Sequence, residues 1–284
     1  TLYQQALASK FGSDRSVKDL PRLMRVAGMW HNKKKPYTFE PAKYKKKLIV
    51  SGCSWGDKNF FSQFHPDMDC DFPKWPELLA EKLKMESVNL CKSGAGQEYI
   101  YASLCDTIQR TPKHEIGLVL AAWSTAPRRC YKYQTRWSND RTDQRGDLNY
   151  WIERSIRYQY AFQNLMEQED IPYRQWQMIS LYKGHLWELK KQMFAGVEQG
   201  EKLVGKLYDK LKDLALSTLQ QSPYDKKFKD THLNWPTDEA IGGSSFEFNL
   251  MKEEHRISEL DRHPNAKGHE LIANYLFEKL EGVL

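Results

Sequence analysis

At 284 residues the chain is long enough for one large α/β domain with extensions and a sizeable core. It is 40% hydrophobic and 28% charged with no low-complexity tract, which excludes a disordered or fibrous protein. No stretch approaches the roughly 20 apolar residues of a membrane helix. The net charge of +6 is unevenly placed: residues 1–47 hold 12 Lys/Arg against 3 Asp/Glu, and the remainder holds 31 against 34. The body therefore has no basic excess of the kind a nucleic-acid enzyme carries.

Residues 1–46 read as a basic, helical extension with little core of its own, bearing Lys33-Lys34-Lys35 and Lys45-Lys46-Lys47. Such an arm is either a solvated extension or a docking segment for an acidic partner. There is no signal-peptide pattern, and the chain begins at Thr1 rather than Met, which leaves room for a leader or upstream domain. The five cysteines, Cys53, Cys70, Cys91, Cys105 and Cys130, are odd in number and form no CxxC pair. A disulfide framework or zinc site is not expected, and a reducing, cytoplasmic location is.

The body, residues 47–284, opens with Leu48-Ile49-Val50, a short buried strand closed by Gly52. From Pro73 a helix is expected, with Trp75, Leu78, Leu79 and Leu83 on one face. Ser87–Leu90 reads as a second strand ending in Ser93-Gly94-Ala95-Gly96, and Gln97 to Arg110 as a helix. Ile116 to Trp123 is an unbroken apolar run, as in a strand buried on both faces. Trp137 to Asn149 is polar and reads as a loop, Tyr150 to Glu169 has helical spacing, and Tyr173 to Tyr182 reads as a fourth strand. Residues 185–250 form an insertion: a helical stretch over His185–Gln221, then an irregular loop with Trp235 and Gly242-Gly243. The stretch is a helix packed on the sheet, a lid or a dimer seam. The fold class is α/β, a mostly parallel sheet covered on both sides, with reactive loops at the carboxyl ends of its strands.

Ser54, Gly94 and Ser124 all fall at those ends. A serine hydroxyl needs a base to become a nucleophile, and histidine suits that task. Ser54 is the candidate nucleophile. His263 is the candidate base, with Asp261 two residues before it at a helix entrance. Gly94 can present a backbone N–H to a developing oxyanion.

These residues resemble the blocks of the SGNH hydrolases, also called GDSL esterases and lipases. Gly52-Cys53-Ser54 resembles the first block. Asn89-Leu90-Cys91-Lys92-Ser93-Gly94 resembles the second, whose glycine serves the oxyanion hole. His263-Pro264-Asn265 with Gly268-His269 resembles the last, which supplies the histidine. The resemblance spans residues 47–281 and implies a three-layer α/β/α sandwich of flavodoxin-like type and ester hydrolysis through an acyl-enzyme. The chain departs from the pattern in three places. Cys53 replaces the aspartate before the serine, and is read as structural. Ala122-Trp123-Ser124-Thr125 stands where the third block carries its asparagine, so the resemblance makes Ser124 the substitute donor. Leu260 occupies the usual place of the acid, so Asp261 is the expected partner of His263, with Glu259 or a backbone carbonyl as alternatives. A Trp-Ser pair followed by Arg128 or Arg129 is similar to an SGNH-like subgroup of phage and environmental genomes.

The candidate substrate contacts are Trp55, Trp123, Arg128, Arg129 and Trp235. Because aromatics stack on sugars, an acetylated carbohydrate is the expected ester. The alternatives are acyl transfer, and a catalytically degenerate SGNH-like module of a larger, phage-type assembly. No cofactor is expected: no GxGxxG follows the first strand and there is no P-loop lysine. The oligomeric state is not legible.

Overall fold

The computed structural model describes residues 45–140, 142–181, 213, 217–228, 230–233 and 252–280. The chain divides after Tyr44, and every described residue lies in the second part. The basic arm, Trp235 and most of the 185–250 insertion fall outside the described residues.

Four parallel strands, β1 (Lys47–Ser51), β2 (Glu86–Asn89), β3 (Ile116–Trp123) and β6 (Tyr173–Gln177), form the central sheet in the order β2-β1-β3-β6. Alternate residues of each strand face opposite sides, so two cores result. On one side Leu48, Val50, Leu118, Leu120 and Ala122 pack with α1 (Trp75–Lys82) and α4 (Ala266–Leu280). On the other, Ile49, Val119, Ala121 and Trp123 pack with α2 (Gln97–Arg110) and α3 (Leu148–Gln168). Every residue of β3 is buried, which is why it reads as continuous apolar sequence. Beyond β6 a single parallel bridge pairs Gln175 with His232. No described helix is long and apolar enough to cross a membrane.

Two expectations are corrected. Trp137 belongs not to a loop but to β5 (Arg136–Asp140), which pairs antiparallel with β4 (Arg129–Tyr133) in a separate hairpin. The hairpin has no apolar alternation to reveal it, and its turn uses Gln134 at φ 52°, a residue that gives no turn signal. Strand β6 ends at Gln177 rather than Tyr182. Past it, the Leu181 carbonyl accepts from Ala126 N–H and the Thr125 hydroxyl instead of continuing the ladder.

Leu120 lies fully buried on the central strand. Leu120→Ala should lower unfolding stability by about 2–5 kcal/mol, read by urea denaturation.

Candidate active site

The site is built where β1, β2 and β3 end. The register sets Ser51 beside Ala121, so the two chains leave the sheet together toward Ser54 and Ser124. The turn after β1 is closed by Gly56 N–H donating to Cys53 O at 3.1 Å. Gly56 is there for space: a Cβ on it would lie 2.6 Å from Cys91 Sγ. Cys53 faces inward, in the core cluster with Trp55 and Cys91.

Three contacts bolt this turn to the one after β2. Lys92 N–H donates to Gly52 O at 3.0 Å, and Ser93 donates to Asp57 Oδ2 through both its N–H and its hydroxyl, each at 2.7 Å. Asp57 also accepts from Asn59 N–H at 2.9 Å, and Asn89 donates to Gly56 O at 2.7 Å. In the second turn Ala95 N–H donates to Lys92 O, and Gly94 sits at φ 77°, where side-chain-bearing residues are strained. Neither Gly94 N–H nor Ser54 N–H has a hydrogen-bond partner among the described residues. Both are therefore available as donors.

His263 arrives from the other end of the chain. Asn265 caps α4, its Oδ1 accepting from Gly268 N–H at 3.0 Å, while its amide donates to Glu254 O and Arg256 O. Pro264 stands before that cap, bridged to Arg256. Just upstream, Asp261 Oδ1 accepts from His263 N–H at 3.2 Å, an Asx turn. This local turn lets an acid two residues away reach its own histidine: His263 Nδ1 lies 2.6 Å from the same oxygen. Leu260, at the position usual for the acid, is exposed.

The imidazole's other nitrogen, Nε2, lies 2.8 Å from Ser54 Oγ. A carboxylate only accepts, so Nδ1 carries the proton and Nε2 is left to accept from the serine. Asp261 is only 2% exposed, and burial alone would raise its pKa. The hydrogen bonds from His263 and Ser62 outweigh burial and hold it at about 2.

The sequence reading missed the residues behind this chain. Ser62 Oγ donates to Asp261 Oδ2 at 2.5 Å, and itself accepts from His65 N–H. His65 Nε2 meets Ser258 Oγ at 2.7 Å, and that hydroxyl accepts from Asp261 N–H. Phe60 stacks on the His263 ring, centroids 4.4 Å apart. One segment, residues 57–65, thus braces both the acid and the imidazole. Asp57 and Ser62 left no signal beyond their closeness to Ser54 in sequence. His269 has no part in this relay: its Nδ1 accepts from Trp75 N–H at 3.2 Å, and burial with nearby Lys74 and His263 lowers its pKa to about 3.

Several expected substrate contacts lie elsewhere. Trp123 is 0% exposed, donates to Gln175 Oε1 at 2.8 Å and packs edge-on against Phe162. Trp55 is 3% exposed in the opposite core. Both anchor the layers and cannot stack on a ligand. Arg129 is near Asp143, at 3.9 Å, and lies over Tyr131 on the hairpin. Ser124 is 0% exposed and its hydroxyl accepts from Arg128 Nη1 at 2.8 Å. A hydroxyl that water cannot touch is out of reach of a substrate oxygen, so Ser124 holds Arg128 rather than serving as the oxyanion donor. Arg128 is half-buried and reaches Ala95 O, beside Gly94. Among the described residues no cluster of His, Cys, Asp and Glu is arranged to hold a metal.

No protein-family model matches the chain, and neither does any curated protein. Solved structures do resemble it. A lipolytic protein of the G-D-S-L family from Desulfitobacterium hafniense DCB-2 is 14% identical, with TM-score 0.40 over 82% of this chain and 98% of that one. The psychrotrophic esterase EstA from Pseudoalteromonas sp. is 11% identical, with TM-score 0.42 over 83% and 97%. A carbohydrate esterase is 12% identical, with TM-score 0.42 over 84% and 69%. At such identities and TM-scores the likeness carries nothing about substrate or mechanism. The central parallel sheet with helices on both faces is the α/β layout expected from the sequence.

The low pKa of Asp261 links the site to stability. A carboxyl whose folded pKa, about 2, lies below its ordinary value of 3.8 stabilises the fold fully above that value; the contribution, about 2 kcal/mol, is lost as pH falls toward 2. Asp261→Asn should flatten the dependence of unfolding stability on pH between about 2 and 4. Ser62→Ala, which removes one bond to the anion, should raise the folded pKa of Asp261, so that the loss starts at the same pH but is smaller and complete at a higher pH.

Proposed function

We propose that the chain is a serine ester hydrolase working through an acyl-enzyme. The observation that carries this is the continuous relay Ser54 Oγ–His263 Nε2 at 2.8 Å, His263 Nδ1–Asp261 Oδ1 at 2.6 Å and Asp261 Oδ2–Ser62 Oγ at 2.5 Å. His263 takes the Ser54 proton as Oγ attacks the ester carbonyl. The C=O electron pair moves onto oxygen, where the N–H groups of Gly94 and Ser54 receive it. Collapse expels the alcohol, which takes the proton from His263, and water then releases the acid by the same steps reversed. Asp261 stays ionised throughout and stabilises the imidazolium that forms twice per cycle.

The aromatic case for a sugar ester weakens once Trp55 and Trp123 are core residues. A simple acyl ester is the substrate class that the relay alone supports. A degenerate binding module would have no need for a relay with its tautomer set and its acid held anionic. Acyl transfer shares every step up to deacylation and differs only in the acceptor.

A fluorophosphonate probe should label the wild-type chain at Ser54, and p-nitrophenyl acetate should be hydrolysed. Ser54→Ala should abolish labelling and lower turnover by at least about 10³-fold. A wild-type chain that neither labels nor hydrolyses short esters would sink the proposal.

A further inference from the structure

The β4–β5 hairpin lies directly on the turn that carries Gly94. Its ladder pairs Cys130 with Asn139 and Lys132 with Trp137, so these four residues share one face. Three of them meet the turn or the helix after it. Cys130 Sγ accepts from Gly96 N–H at 2.9 Å, and Trp137 meets the Tyr99 ring edge-on while its carbonyl accepts from Lys92 Nζ at 3.1 Å. Asn139 covers Gly94 itself: a Cβ there would lie 2.2 Å from Asn139 Nδ2 and 2.9 Å from its Cγ. The missing side chain at Gly94 is thus filled by the carboxamide of Asn139, with its nitrogen foremost.

That carboxamide makes no hydrogen bond to any described residue, and the Gly94 N–H beside it makes none either. Two unpaired donors adjoin at one residue of a turn tied to the nucleophile's turn through Lys92 N–H and Gly52 O. An acyl oxyanion is best held by two or three preorganised donors. The third strand does not offer one, because Ser124 is sealed beneath Arg128.

We propose, resting on the hydrolase reading above, that Asn139 is a catalytic residue that completes the oxyanion hole from the hairpin. As the Ser54 Oγ–carbon bond forms and the C=O pair moves to oxygen, Asn139 Nδ2–H and the N–H groups of Gly94 and Ser54 donate to that oxygen. No proton is transferred in this contact. The hairpin is then part of the active site, held in place by Arg154, whose guanidinium donates to Arg128 O at 2.9 Å, Ala126 O at 3.0 Å and Asp143 Oδ2 at 2.6 Å.

The deciding variant is Asn139→Asp, which keeps the shape that fills Gly94 but replaces the donor with an acceptor. With p-nitrophenyl acetate, kcat should fall about 10²-fold or more while KM stays within about threefold. The rate of Ser54 labelling by an uncharged fluorophosphonate should fall in parallel, with the unfolding temperature unchanged. Asn139→Ala should show the same loss; if it also lowers the unfolding temperature, the aspartate variant alone decides. Tyr133→Ala, an exposed residue on the opposite face of the hairpin, should leave both rates unchanged. An active, labelled wild type with kcat within threefold in Asn139→Asp overturns the role of Asn139 and leaves the hydrolase reading standing. An inactive, unlabelled wild type overturns both.

Discussion

Everything at this site depends on one buried carboxylate. Asp261 holds His263 with one oxygen and takes a hydrogen bond from Ser62 with the other. Excluded from water, it would rather be neutral, and only these partners keep it charged. Removing either leaves a buried anion short of a donor, which is costly. The loop after the first strand and the segment before the last helix are therefore joined through a group that neither can leave unsatisfied. The same carboxylate that joins them orients the imidazole toward Ser54 through its other oxygen.

A second buried carboxylate does comparable work on the other side of the serine. Asp57 gathers three donors, two of them from Ser93, and ties the turn of Ser54 to the turn that presents Gly94. The proposed chemistry needs this fixed spacing, because catalysis by preorganised dipoles is lost when the dipoles must first be aligned. Asp57 fixes the base of that arrangement and the hairpin covers its top. The parallel sheet beneath contributes rigidity and brings the strand ends together, whereas the chemistry sits wholly in the loops beyond it.

The elements most legible in sequence were those whose burial repeats along the chain. Strand β3 and helix α2 were readable to the residue because a two-sided core and a one-sided face each leave a regular apolar pattern. The hairpin left none, being mostly polar and joined by an unremarkable turn, and so it read as a loop. Aromatic content misled in the opposite direction. Trp55 and Trp123 each adjoin a serine at a strand end in sequence, yet both side chains are buried in the core.

Local pattern is enough for the alternation of strands and helices, for the serine, glycine and histidine at strand ends and a helix entrance, and for the Asp-x-His spacing. These are short-range matters, set by periodicity and by neighbours a few residues apart. Only the tertiary structure decided that Ser62 supports Asp261 from 199 positions away, that Ser54 meets His263 across 209, that Ser124 is sealed, and that a polar hairpin lays Asn139 on Gly94. Such contacts arise because burial draws distant polar groups together and obliges them to find partners, and no local pattern records which partner that will be.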